Sequence, residues 1–281
     1  MNYIKHITSS DGTNLYTKVN EGYDEENNDR INIIIVHGLA EHLDRYDALA
    51  DSLQIHGFNV IRYDQRGHGR SEGAQTYYDN DSQIVEDLQA VISFVRTTYG
   101  NNIFLIGHSM GGYTVALYGT FYPNQVRGII TSGALTRDIK GLFSEILEDR
   151  TLPKDSYIDN ALGEGVCSDK DVQAKYEQDD LVAKHISRGL IYSIDSGVDK
   201  LKTHAERFVD DVLIMHGLND GLVSYEDSLQ FFNEIGSTNK SLRIYDTLEH
   251  EILNERKYNS TIFEDIIDWI QLKQYEQEDL K

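Results

Sequence analysis

Apolar and polar positions follow two registers along this chain, and the switches between them predict its elements. Residues 3–8 and 14–19 alternate with a period of two around Asp11-Gly12, the pattern of a hairpin. A polar acidic loop, 21–30, follows. Ile31-Asn32-Ile33-Ile34-Ile35-Val36 is almost continuously β-branched, which suits a strand buried on both faces of a parallel sheet. Residues 46–55 predict a short helix and 59–63 another strand. Ile84, Leu88, Val91, Ile92 and Val95 form one stripe of a long amphipathic helix, with Gly100 as its stop signal. A strand at 103–106, a helix at 112–121 closed by Pro123, and a strand at 126–131 continue the alternation.

The pattern changes between 137 and 202. That stretch holds charge-dense helical pieces at 139–148, 169–176 and 181–194 and no strong strand. Alternation resumes with a strand at 212–215, a helix at 225–235 and a strand at 242–245. A terminal helix runs through Ile262, Phe263, Ile266, Ile267 and Trp269. Strands interleaved with helices in this way predict an α/β fold with a mostly parallel central sheet flanked by helices. Its core is expected from 1–136 and 203–281, with 137–202 inserted as a helical cap. The chain shows no internal repeat.

Composition narrows the function classes. With 281 residues, 40% of them hydrophobic, the chain can bury a sizeable core. The net charge of -21, from 47 acidic against 26 basic residues, argues against nucleic acid and against attraction to anionic lipid headgroups. The single cysteine, Cys167, can form no intrachain disulfide. The N-terminus lacks the apolar run of a signal peptide, and no stretch approaches the roughly 18 apolar residues of a membrane span. A cytoplasmic protein without stable membrane insertion is expected.

The candidate chemistry centres on Gly107-His108-Ser109-Met110-Gly111, set between the strand at 103–106 and a helix start. The bare pattern is weak, and its setting gives it weight. A serine on a sharp strand-to-helix turn has its hydroxyl pushed out above the sheet, and the glycines allow the tight backbone. The arrangement resembles the nucleophile elbow of the α/β-hydrolases. Such a serine needs a base, and the base needs an acid to hold its tautomer; in this fold both follow the serine. Of the later histidines, His185 and His204 lie in or beside the insertion, and His216-Gly217 reads as a turn former. His250, between the last strand and the last helix, can reach back over the sheet's carboxyl edge and is the expected base. Asp220, in the loop that ends the 212–215 strand segment, is the expected acid. Asp138 is the alternative, while Asp210 and Asp211 lie at the wrong end of that strand. Backbone N–H groups of Met110 and of Leu39, in the turn His37-Gly38-Leu39, are the expected oxyanion donors.

Metal and cofactor chemistry find no support. His250-Glu251-Ile252-Leu253-Asn254 begins like a zincin helix but lacks its second ligand. There is no Walker loop and no strand-linked dinucleotide fingerprint, so neither cofactor nor metal is expected.

Several segments together resemble the monoacylglycerol lipase and lysophospholipase branch of the α/β-hydrolases, of the serine aminopeptidase S33-like, Hydrolase_4 type. They are His37-Gly38-Leu39-Ala40-Glu41-His42 with Arg45-Tyr46, the glycine-rich 64–73, the elbow, Cys167-Ser168-Asp169, His216-Gly217-Leu218-Asn219-Asp220 and 250–255. The resemblance implies hydrolysis of single-chain lipid esters by Ser109, His250 and Asp220, under a cap over an apolar acyl tunnel. It places Glu41, His42 and Arg45 near the pocket mouth, where bracing of the loop is their expected role. The acidic cap implies no more than transient peripheral membrane contact, and short soluble esters stay open as substrates. Carboxylesterase, thioesterase and small-amide hydrolase activities use the same triad. A non-catalytic binding protein on this fold would lack a triad member. Because the base must be neutral, activity is expected to rise through a midpoint near ~6.5.

Overall fold

In chain order the strands are β1 (Asn2–Thr8), β2 (Asn14–Asn20), β3 (Asn32–Val36), β4 (Asn59–Tyr63), β5 (Ile103–His108), β6 (Gly128–Ser132), β7 (Tyr157–Asp159), β8 (His185–Ser187), β9 (Val212–Gly217) and β10 (Lys240–Tyr245). The helices are α1 (Asp47–Ile55), α2 (Ser82–Tyr99), α3 (Met110–Phe121), α4 (Ser144–Leu147), α5 (Lys170–Gln178), α6 (Arg188–Thr203), α7 (Tyr225–Glu234) and α8 (Asn259–Glu278). This computed structural model describes residues 1–23, 30–161 and 166–278. Most of the loop expected at 21–30 lies outside the described residues.

Eight strands form one sheet in the order β1-β2-β4-β3-β5-β6-β9-β10. β1 and β2 form the expected hairpin, and β2 joins β4 antiparallel. Every pairing from β4 to β10 is parallel, so these six strands end at one rim. The near-continuous apolar runs are explained by burial on both faces. Ile34 and Val36 of β3 pack with α2 and α3 residues such as Leu88 and Val115. Ile33 and Ile35 face Leu49 and Leu53 of α1 and Ile266 and Ile270 of α8. The candidate residues Ser109, Asp220 and His250 all follow strands at the rim where the parallel strands end, the edge at which open α/β sheets generally bind ligands.

The segment between β6 and β9 departs from expectation. β7 and β8 pair antiparallel in a small second sheet, although no strong strand was expected there. Residues 181–187 are not helical; α6 begins at Arg188, where the Ser187 hydroxyl caps it by accepting from Leu190 N–H at 3.1 Å. The helix expected at 139–148 shrinks to the single turn α4. Asp227 of α7 explains this, because its carboxylate accepts from the backbone N–H groups of Thr136, Arg137, Asp138 and Ile139. Those bonds hold the chain in a turn with Asp138 at φ 53°. α6 lies on α3 closely enough that a Cβ on Gly197 would fall 1.9 Å from the Tyr113 hydroxyl oxygen.

Candidate active site

The elbow forms where β5 meets α3. Ser109 sits between them at φ 53°, ψ -116°, a conformation that costs a non-glycine residue roughly 1–3 kcal/mol and persists only where its surroundings enforce it. Ser109 N–H donates to Ser132 O at 2.8 Å, and Tyr113 N–H donates to Ser109 O at 2.9 Å. Gly111 permits the approach of α3 to β3, since a Cβ there would lie 2.0 Å from Val36 O.

Asp220 follows β9 and His250 follows β10, and the rim brings them together. His250 Nδ1 and Asp220 Oδ2 are 2.6 Å apart, with both side chains buried. The second oxygen, Oδ1, accepts from Leu222 and Val223 N–H at 2.8 Å each. Burial opposes ionisation of Asp220, but His250 and His216 outweigh it and hold the carboxyl far below the usual range. Burial alone would lower the His250 pKa. The charge and hydrogen bond of Asp220, aided by Glu251 and Glu41, raise it instead.

Ser109, His250 and Leu39 line one cleft of about 30 Å³, at the rim. No Ser109–His250 hydrogen bond is formed, and catalytic contacts of this kind commonly tighten only when substrate is bound. A cleft of this size holds little more than a water molecule. The acyl tunnel implied by the resemblance is therefore not open. The ring of His108 packs on His250 with centroids 4.7 Å apart, and burial first, then the nearby His250, push the His108 pKa down to about 3.

The oxyanion candidates stand on either side of the serine. Met110 opens α3, where a first-turn amide has no partner inside the helix. In the loop after β3, Gly38 N–H donates to Glu41 Oε1 at 2.5 Å, while the next amide, that of Leu39, donates to no acceptor among the described residues. Glu41 also accepts from the Tyr46 hydroxyl at 2.5 Å and pairs with Arg45 at 2.9 Å. Arg45 pairs in turn with Glu251 at 2.5 Å. Burial would raise the Glu41 pKa, but Arg45 brings it down to about 2; burial raises that of Glu251. His42 reaches Asp179 at 2.8 Å. These contacts brace the loop, the role expected of Glu41, His42 and Arg45.

The remaining candidates lie apart. Asp138 accepts from Leu142 N–H at 2.8 Å and has no contact with His250. His185 is exposed beside Asp159, and His204 follows the end of α6. His216 is not a turn former. It lies inside β9, fully buried, with Nε2 2.9 Å from Asp220 Oδ2. Its reach to Asp220, together with the Glu251–Arg45 bridge, was missed in the sequence. The signal for His216 was its place four residues before the acid, at the end of a rim strand. Among the described residues no group of three or more His, Cys, Asp or Glu is gathered to hold a metal, and no helix is long and apolar enough to cross a membrane.

A raised His250 pKa corrects the expected pH dependence. The protonated form cannot act as base and persists to higher pH when the pKa is raised, so the acid limb moves up. The kcat/KM profile for a soluble ester is expected to rise through a midpoint above 6.5. A midpoint at or below 6.5 removes the Asp220–His250 coupling as its cause.

The family model for Hydrolase_4, described as serine aminopeptidase, S33, matches residues 27–257. A monoacylglycerol lipase from Mycolicibacterium smegmatis is 26% identical over 244 residues, which cover 85% of this chain and 87% of that protein. Phospholipase YtpA from Bacillus subtilis is 27% identical over 234 residues, covering 79% and 88%. The crystal structure of a Paleococcus ferrophilus monoacylglycerol lipase superposes with a TM-score of 0.79 at 26% identity, over 92% of this chain and 99% of that one.

Proposed function

As this chain belongs to the Hydrolase_4 family, serine aminopeptidase S33, we propose that it hydrolyses carboxylic esters of single-chain lipids, monoacylglycerols or lysolipids, through an acyl-enzyme. The observation that carries the proposal is the 2.6 Å contact of Asp220 Oδ2 with His250 Nδ1 at the cleft that also exposes Ser109. Asp220 holds the Nδ1–H tautomer of His250, which leaves Nε2 free to take the Ser109 proton as Oγ attacks the ester carbonyl. Leu39 and Met110 N–H groups receive the oxyanion, a contribution of roughly 3 kcal/mol each at the transition state. His250 then returns the proton to the departing alcohol. Water, activated in the same way, releases the acid and frees Ser109.

In this reading 137–202 is the cap, and its α5 controls access. Tyr176 of α5 lines both the 30 Å³ cleft and an outer cavity of about 290 Å³ that also contains His42, Arg45 and Lys175. Displacing the Tyr176 ring joins the two and admits a substrate larger than water. The relatives named lipase and phospholipase support a lipid ester. The small cleft supports a second reading, a carboxylesterase for short soluble esters.

A chain-length series separates the two. With monoacylglycerols, lysophospholipids and chromogenic esters from two to sixteen carbons, kcat/KM is expected to peak at medium or long acyl chains. A peak at the shortest chains overturns the lipid assignment and leaves esterase chemistry.

A further inference from the structure

The Asp220 carboxylate serves two histidines. Its Oδ1 accepts from Leu222 and Val223 N–H, and its Oδ2 faces both His250 Nδ1 at 2.6 Å and His216 Nε2 at 2.9 Å. A carboxylate has about four acceptor sites, and all are used. The tautomer of His216 follows from its neighbours. Nε2 faces two acceptors, Asp220 Oδ2 and Val223 O at 3.2 Å, so it carries the hydrogen. Nδ1 lies 2.7 Å from the Ser228 hydroxyl of α7, which can donate to it.

We propose that His216 is a positioning residue: its Nε2–H fixes the plane of the Asp220 carboxylate and limits how strongly that carboxylate holds His250. The proposal rests on the reading of Asp220 as the acid. Three fixed donors, two amides of the loop and one imidazole of β9, hold the carboxylate still while His250 moves a proton. The His216 donor also draws charge from Oδ2, the atom that binds His250. Without it, Oδ2 becomes the stronger acceptor and stabilises the imidazolium of His250 more.

Other charged and titratable groups face the pair and stay constant across the variants. Glu41 from the loop after β3, Glu251 beside His250 and His108 from β5 act on His250. Glu249 and His108 lie near Asp220, and Lys140 of the cap donates from Nζ to the Asp220 backbone carbonyl at 2.6 Å. Arg45 offsets Glu41 and Glu251.

His216→Leu removes the donor at similar volume, and His216→Gln keeps an N–H that reaches the Nε2 position. Both are compared with wild type by kcat, KM and the pH profile of kcat/KM on a soluble chromogenic ester. His216→Leu is expected to lower kcat roughly tenfold with KM little changed. Its acid-limb midpoint should rise by about half a unit or more. His216→Gln is expected to restore most of kcat and the wild-type midpoint. If His216→Leu does not fold, the low-field Nδ1–H proton resonance of His250 in His216→Gln, present and unshifted, supports the proposal, and its loss overturns it. A folded His216→Leu with the wild-type midpoint, or equal kcat loss in both variants, also overturns it. Asp220→Asn measured alongside separates the two levels. If that variant keeps wild-type turnover, the acid reading and this proposal fail together. If it is inactive while His216→Leu is unshifted, this proposal alone fails.

Discussion

Ser109→Ala is expected to lower turnover of an ester by a factor on the order of 10⁴ or more, with KM changed little. The loss is large because no neighbouring group can replace the hydroxyl. The elbow holds Ser109 at positive φ, locked by its bonds to Ser132 and Tyr113, and the cleft around it is about 30 Å³. Removing Oγ leaves room for a water but no route to an acyl-enzyme, so only the oxyanion donors remain. Alanine at this position tolerates the backbone as poorly as serine does, so folding should be unchanged. Steady-state kinetics with a melting curve checks both points, and a variant that keeps most of its turnover removes Ser109 as nucleophile.

Asp220→Asn is expected to cost about 10⁴ in kcat and stability as well. In many active sites this exchange is nearly isosteric and harmless to the fold. Here both oxygens are saturated by donors: two amides at Oδ1, and His216 and His250 at Oδ2. Either orientation of an amide sets its NH2 against donors. Facing His250, it forces the wrong tautomer and spoils the base. Facing the loop, it meets two backbone N–H groups and leaves them buried without an acceptor, at a cost of roughly 1–3 kcal/mol. Loss of activity together with a lower melting temperature is the expected pair of results. Wild-type turnover in this variant contradicts the role assigned to Asp220.

How much of this was legible depended on whether local pattern or distant contacts set each element. β3 reads correctly because burial on both faces demands an unbroken apolar run. The elbow reads correctly because Gly111 has steric work to do against Val36, and that need is written in the glycine itself. The rim positions of Asp220 and His250 follow from the order of strands. The segment 137–202 was misread for a physical reason. Ile139, Leu142, Phe143, Ile146 and Leu147 carry a helical period, yet the Asp227 carboxylate, more than eighty residues away, captures the backbone donors before them. β8 is three residues long, too short for alternation to show, although Ser187 was available as a helix cap. His216 was taken for a turn because glycine follows it, whereas β9 continues through both residues. Its contact with Asp220 exists only once the loop at 218–223 folds back.

The most direct measurement is labelling by a fluorophosphonate probe with the modified residue mapped by mass spectrometry, at pH values from below 6.5 to well above it. One adduct is expected, on Ser109, forming faster as His250 loses its proton and much more slowly in Asp220→Asn. An adduct on another residue, or no labelling of the folded protein at any pH, would contradict an activated serine at this rim.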